Sequence, residues 1–212
     1  MKKIIVIKKN SNYWNKFYRK EDQFYESNFA KFAWRYLKKN NNLNIADIGC
    51  GDGRDSFFFL KKDLKLFGYD KSKTAINKNI KKFGNFFINK DFCRRNINIK
   101  KKYDVLYMRF FIHAINDNME RNLLSNLKKI SHKKSIFFFE FRTINDPLIN
   151  KGTKISKYER YTSHYRRFID TEKFISSLKD KKIKVIYKKT SNKFSVTKND
   201  VPEISRIVAK NV

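Results

Sequence analysis

In the stretch Ala46-Asp47-Ile48-Gly49-Cys50-Gly51-Asp52-Gly53-Arg54-Asp55, glycines alternate with other residues behind a carboxylate. Ile45 and Ile48 end a short apolar run, and Ser56 to Leu60 open a helical one, so the glycines fall in a strand-to-helix turn. Glycine serves such a turn in two ways: it accepts positive φ, and it lets a ligand pack against the main chain where a Cβ would intrude. The spacing that grips a pyrophosphate asks for a further glycine at position 54, where this chain has Arg54. Asp47 at the head of the loop instead suits a cofactor that carries an ammonium group.

Further along, Leu66-Phe67-Gly68-Tyr69-Asp70 reads as a second strand ending in a carboxylate, the place where such sheets accept ribose hydroxyls. Asp70 also suits the start of the helix expected from Ser72 to Phe83, and the two roles are compatible. A third strand, Asn85 to Asn89, ends in Lys90-Asp91-Phe92-Cys93. The order acidic, any, Gly, any, Gly, any, Gly, met by Asp47, Gly49, Gly51 and Gly53, resembles the first motif of class I S-adenosylmethionine-dependent methyltransferases. The resemblance implies S-adenosylmethionine as cofactor, with Asp91 on the adenine amino group, Phe92 beside the ring and Met108 also at the cofactor.

These residues need a scaffold that brings strand ends together. Short apolar runs at 103–107 and 135–141 alternate with a helical pattern through Leu123, Leu124, Leu127 and Ile130. A helix at 171–178 precedes final strands near 183–187 and 203–209, whose connection carries no crossover helix and so implies antiparallel pairing. The expected fold is α/β: a doubly wound, Rossmann-like, seven-stranded and mostly parallel sheet with an antiparallel last strand. Behind a Ser27 cap, Phe29, Phe32, Ala33, Tyr36 and Leu37 recur at helical spacing, giving an N-terminal helical cover. Residues 1–212 read as one domain, with 1–40 as lid and helix and 41–212 as the core.

Ligands on such sheets gather at the carboxyl ends of the strands. That rule collects Arg109 and His113 after the fourth strand, Glu140 and Arg142 at the end of the fifth, and His164, Tyr165, Arg166 and Arg167 before the late helix. The segments Tyr13-Trp14-Asn15-Lys16-Phe17-Tyr18, Ser27 to Phe32, Arg109 to Ile115, Glu140-Phe141-Arg142 and His164 to Ile169 resemble a bacterial subfamily found near surface-polysaccharide genes. Its relatives methylate phosphate on glycan ends or in capsules. The resemblance implies that Tyr13 and Trp14 cover the sulfonium or carboxylate end of the cofactor, where an aromatic face can contact a cation. Between Thr190 and Val201 the chain departs from that subfamily, with Ser191-Asn192-Lys193-Phe194-Ser195-Val196 in place of a Gly-Leu-Ala-like segment.

Two acceptor chemistries follow. An anionic oxygen on a phosphate needs only alignment, with Arg109, Arg142, Arg166 and Arg167 as its clamp. A sugar hydroxyl needs a base in contact, for which His113 or Glu140 would serve.

The formal charge of +30 on 212 residues would ordinarily suggest nucleic acid or an anionic surface. Lysine is enriched together with Asn, Ile, Phe and Tyr, however, and it is spread from Lys2 to Lys210, which reads as a solvated coat with an AT-rich coding bias. The Asn/Asp-Pro-Pro-aromatic signature of amino-methylating nucleic-acid enzymes is missing, and Asn145-Asp146-Pro147-Leu148 imitates it poorly. An anionic glycan or small phosphorylated acceptor is therefore the expected partner, ahead of nucleic acid, a neutral metabolite or a non-catalytic role. Met1 to Lys8 has too short an apolar core for a signal peptide, no run approaches membrane-spanning length, and Cys50 and Cys93 are expected to be free thiols, so a cytoplasmic location is expected.

Overall fold

The structure, a computed structural model, describes residues 13–19, 25–39 and 42–212. Parts of the expected 1–40 cover, including Met1 to Lys8, lie outside the described residues. Helix α1 spans 13–19. Helix α2 (Asn28–Leu37) follows the Ser27 cap, whose hydroxyl accepts the N–H of Ala30, and it buries Phe29, Ala30, Ala33 and Leu37.

The alternation then runs β1 (Asn44–Ile48), α3 (Arg54–Leu60), β2 (Lys65–Asp70), α4 (Lys73–Phe83), β3 (Phe87–Asn89), β4 (Tyr103–Arg109), α5 (Asp117–Ile130) and β5 (Ser131–Arg142). After β6 (Thr153–Lys154), β7 (Glu159–Tyr161) and β8 (Tyr165–Arg167) come α6 (Thr171–Asp180), β9 (Ile183–Ser191) and β10 (Ile204–Asn211).

The main sheet has seven strands in the order β3-β2-β1-β4-β5-β10-β9. Pairing is parallel from β3 through β5, whereas β10 runs antiparallel to both β5 and β9. The Rossmann-like sheet with its reversed last strand is thus as expected. The order changes direction between β1 and β4, and a crevice opens at their carboxyl ends.

Side-chain alternation along β5 divides the core between the two faces. Phe137, Phe139 and Phe141 pack with Leu123, Leu127 and Phe174 on one side, while Phe138 packs with Phe29, Phe59 and Tyr107 on the other. Each such ring, fully buried, contributes roughly 2–3 kcal/mol of transfer free energy.

Two features depart from the expected elements. Strand β5 starts at Ser131, directly at the end of α5, instead of Ser135; the pairing with β4 shifts register between Tyr103 and Val105, and Lys134 takes φ 80°. The segment around His164, read from the sequence only as a donor cluster before the late helix, belongs to a three-stranded antiparallel sheet, β6-β7-β8. Strands of two or three residues hold too few alternations to stand out as a pattern.

Candidate active site

The glycine turn joins β1 to α3 and forms the floor of a cavity of about 250 Å³ at the switch point. Gly49 has φ 80°, and a Cβ there would lie 2.3 Å from the Phe111 ring. At Gly51, φ is 54° and a Cβ would meet the Tyr18 hydroxyl at 2.6 Å. The N–H groups of Gly49 and Cys50 both donate to the Tyr69 carbonyl, tying the turn to β2. Helix α1 lies against this cavity: Trp14, Phe17 and Tyr18 line it, and Asn15 accepts a hydrogen bond from the Ser72 hydroxyl at 2.6 Å. Burial, with Asp70 and Asp52 nearby, holds the Tyr18 phenol well above its usual range.

The carboxylates around the cavity have distinct environments. Asp47, 2 % exposed, accepts a hydrogen bond from the Ser56 hydroxyl at 2.6 Å. Burial is the main force raising its pKa to about 8, and Asp55, Asp70 and Asp52 add to it. Asp70 accepts the N–H of Ser72 at 2.8 Å and that of Gly51 at 3.1 Å, while Ser72 itself caps α4. Burial raises the pKa of Asp70 against these two bonds. Asp91 accepts the N–H of Cys93 at 2.9 Å and lines the cavity together with Phe92, whose ring stands edge-on to Tyr69.

Met108 does not share this wall. Alternation along β4 turns it into the core, and its neighbours Tyr107 and Arg109 line the cavity instead. Tyr107, not singled out from the sequence, donates to Asp55 at 2.8 Å, and Asp55 also takes the Ser27 N–H and hydroxyl, both at 2.7 Å. A carboxylate in the first turn of α3 was the available signal, but its partners are 28 and 52 residues away.

The expected acceptor residues separate into groups. The Glu140 carboxylate accepts Arg109 Nε at 3.1 Å, Arg206 Nε at 2.7 Å and the Ser195 hydroxyl at 3.2 Å. The carboxylate expected as a possible base is thus held between two guanidinium groups and a hydroxyl. Arg109 also lies 4.3 Å over the ring of Phe110, a residue at φ 55° whose N–H donates to the Glu140 carbonyl. A non-glycine residue held in this region carries backbone strain of the kind that collects at functional sites.

His113 Nδ1 accepts the backbone N–H of Arg142 at 3.2 Å. Burial, then Arg142 and Arg166, hold its pKa well below the usual imidazole value. The ring is therefore neutral, with its proton on Nε2, and acts as a donor; its basic lone pair is already used. His164 stacks on Tyr13 at 4.5 Å and lies close to Trp14. Burial and the two nearby guanidinium groups bring its pKa down to about 3. Tyr13 thus sits on this polar cluster, and Trp14 reaches both the cluster and the cavity.

The four arginines expected to form a clamp do not all converge. Arg167 pairs with Asp117 and Glu120 of α5, and the Tyr165 hydroxyl donates to Glu159 at 2.5 Å. On β8 the period-two rule turns Tyr165 and Arg167 inward together and leaves Arg166 on the opposite side. Arg142 is bound by Asp146 and Asp200. Only Arg166 has no carboxylate partner among the described residues; it donates to the Thr162 hydroxyl at 2.6 Å. Burial and the adjacent Arg142 lower its pKa.

Residues 46–133 match a family model described as a methyltransferase domain. Solved structures resemble most of the chain. A S-adenosylmethionine-dependent methyltransferase from Methanosarcina mazei aligns with a TM-score of 0.73 at 13 % identity, over 85 % of this chain and 97 % of its own. The fold is that of the S-adenosylmethionine-dependent methyltransferases. The glycopeptide N-methyltransferase MtfA in complex with S-adenosylmethionine aligns at 0.64 and 11 % identity, over 90 % and 96 %. The 1,6-didemethyltoxoflavin-N1-methyltransferase of Burkholderia thailandensis, bound to that substrate and S-adenosylhomocysteine, aligns at 0.64 and 11 % identity, over 87 % and 76 %. No curated protein sequence matches the chain. Together these likenesses support an enzyme, and S-adenosylmethionine as its cofactor.

The residues of this methyltransferase fold suit that cofactor. Asp47 is a buried carboxylate that a ligand cation would satisfy, Gly51 lets the Tyr18 ring approach the main chain of the turn, and Asp70 stands at the end of β2. Tyr69 and Phe92 supply an aromatic wall. No described helix is long and apolar enough to cross a membrane.

Proposed function

We propose that this methyltransferase-fold chain transfers a methyl group from S-adenosylmethionine to an anionic oxygen, as on a phosphorylated glycan end or a small phosphorylated acceptor. The observation that carries the proposal is Arg166: a desolvated guanidinium beside a second arginine and two neutral imidazoles, with no carboxylate of its own among the described residues. Such a group attracts an acceptor that brings the missing charge. In this proposal Asp47 holds the ammonium of the cofactor, Asp70 its ribose hydroxyls and Asp91 with Phe92 its adenine.

When bound, the cofactor supplies an electrophilic methyl group on a sulfonium. The chain's part is to align an acceptor oxygen with it and exclude water. Arg166 orients the anion, the Nε2–H of His113 donates toward it, and Tyr13 and Trp14 close the site from α1. Alignment alone supplies several kcal/mol of barrier reduction. An anionic oxygen requires no proton removal, which agrees with the occupied Nδ1 of His113 and the doubly paired Glu140. The solved neighbours named above include N-methyltransferases with different acceptors, so the acceptor is argued from the site and not from the fold. The resemblance of the 13–18, 109–115 and 164–169 segments to surface-polysaccharide methyltransferases supports a phosphate carried on a glycan.

The test is methyl transfer from labelled cofactor to sugar phosphates and to the matching unphosphorylated sugars. Transfer to the phosphorylated compounds alone is expected. Arg166→Met should lower acceptor kcat/KM by about 30- to 150-fold, the worth of roughly 2–3 kcal/mol of charge-assisted bonding, while S-adenosylhomocysteine binds as before. Equal turnover of the unphosphorylated sugars, or an unchanged Arg166→Met, would overturn the proposal.

A further inference from the structure

We infer that Asp200 sets which acceptors the site admits, by occupying on Arg142 the place that an acceptor oxygen would take. The inference rests on the anionic-acceptor proposal and adds a specificity-determining residue to it. The Arg142 guanidinium is held on two sides by carboxylates of different character. On one side, Nη1 donates to Asp146 Oδ1 at 3.1 Å and Oδ2 at 2.8 Å. Asp146 is fully buried, and the backbone N–H groups of Leu148 and Glu203 fix it at 2.9 Å and 3.1 Å. This pair is a permanent part of the turn that follows β5.

On the other side, Nη2 donates to Asp200 Oδ2, and Nη1 reaches Asp200 Oδ1 at 3.3 Å. Asp200 lies in the connection between β9 and β10, with its side chain 31 % exposed. That connection is tied down at a few points: the reciprocal backbone bonds of Thr197 and Asp200, Ser195 on Glu140, and the Phe194 ring 4.0 Å from the Arg206 guanidinium. One carboxylate is enough to balance Arg142, so Asp200 is the surplus and the exchangeable one.

The local charges make this exchange selective. Arg142 and Arg166 against Asp146 and Asp200 sum to zero, so the second carboxylate on Arg142 offsets part of the pull that unpaired Arg166 exerts on an anion. Displacing Asp200 uncovers the Nη2 edge of Arg142 beside Arg166, and the cluster gains a positive charge. An incoming group must therefore compete with a tethered carboxylate, and it does so by offering oxygens to both guanidinium groups at once. A phosphate has the oxygens and the charge to bridge them; a neutral hydroxyl, with neither, leaves Asp200 in place. Specificity here comes from a built-in competitor as much as from the attractive groups.

The experiment uses the full chain saturated with S-adenosylhomocysteine and titrated calorimetrically with inorganic phosphate. Asp200→Asn and Asp200→Ala should bind phosphate at least tenfold more tightly than the wild type, and acceptor KM should fall in step. In the wild-type protein, phosphate should also speed tryptic cleavage after Lys193 and Lys198, because it releases the segment from Arg142. Folded Asp200 variants that bind phosphate no better than the wild type would overturn the inference; so would unchanged cleavage at saturating phosphate, which needs no variant to fold. Arg166→Met separates the two levels: retained phosphate binding there removes the anionic-acceptor proposal itself, whereas lost binding with inert Asp200 variants removes only the role of Asp200.

Discussion

Asp47→Asn tests the cofactor half of the site through two independent readouts. The carboxyl is 2 % exposed and its pKa is raised to about 8, mainly by burial. In the unfolded chain the same group titrates near the ordinary aspartate value of about 4. Between those limits the folded, cofactor-free protein keeps a proton that the unfolded chain loses. Folding stability from this group is therefore greatest below about pH 4 and falls as pH rises toward 8. At about 1.4 kcal/mol per unit, the loss reaches on the order of 4 kcal/mol at pH 7. Asparagine keeps the shape and removes the titration. The variant should then melt higher than the wild type, by on the order of 10 °C at pH 7 for a chain of this size, with the gain vanishing near pH 4. Cofactor binding should move the opposite way. An ammonium that pairs with Asp47 needs the ionised form, so wild-type affinity for S-adenosylhomocysteine should rise by between one and two orders of magnitude from about pH 5.5 to 7.5, with proton release. Scanning fluorimetry across pH, and calorimetry in buffers of different ionisation enthalpy, measure both. Affinity that is flat with pH in the wild type, or an Asp47→Asn protein that melts with the wild type at pH 7.5, would refute the assignment.

Gly49→Ala should weaken S-adenosylhomocysteine binding at least tenfold and cost about 1–3 kcal/mol of stability, since the residue sits at φ 80° with the Phe111 ring 2.3 Å from the new Cβ; normal binding in a titration would remove the need for glycine there. Arg167→Met should lower stability by about 3 kcal/mol, because it strands the largely buried Glu120 carboxylate, and should leave acceptor KM unchanged. A stable Arg167→Met protein with impaired acceptor binding would return that arginine to the acceptor site.

Features confined to a few neighbouring residues were legible in the sequence. The glycines at 49, 51 and 53, the Ser27 cap and the apolar run 135–141 within β5 each act through their own backbone or immediate neighbours, and each falls in the element expected for it. The orientation of the arginines was not legible, because it depends on partners far along the chain. Arg167 answers to Glu120 across 47 residues, and Arg142 to Asp200 across 58. Part of the Arg167 result was within reach: if Tyr165 is inward on a strand, period two sends Arg167 inward and Arg166 outward. What hid it was the length of β8, whose three residues do not announce a strand. The hydrogen bonding of His113 was also set at a level the sequence does not show. Its nearness to the fourth strand was readable, but the N–H of Arg142 that consumes its lone pair is a product of tertiary packing.

The same distinction governs the charge of the molecule. A formal +30 spread over exposed lysines is screened within about 8 Å at physiological salt. Surface pairs such as Lys31 with Glu26 and Lys188 with Glu172 add little. The coat raises the encounter rate with every anion, and so it cannot choose among them. Choice requires desolvated donors whose partners are incomplete, and there the balance is far tighter: Arg142 and Arg166 are offset by Asp146 and Asp200. Salt should act on the coat, slowing encounter with all anionic acceptors alike. Substitutions at Arg166 and Asp200 should act on the order of preference among them. In the proposed reading, a strongly basic chain holds an acceptor site that is nearly neutral until its substrate displaces Asp200 from Arg142.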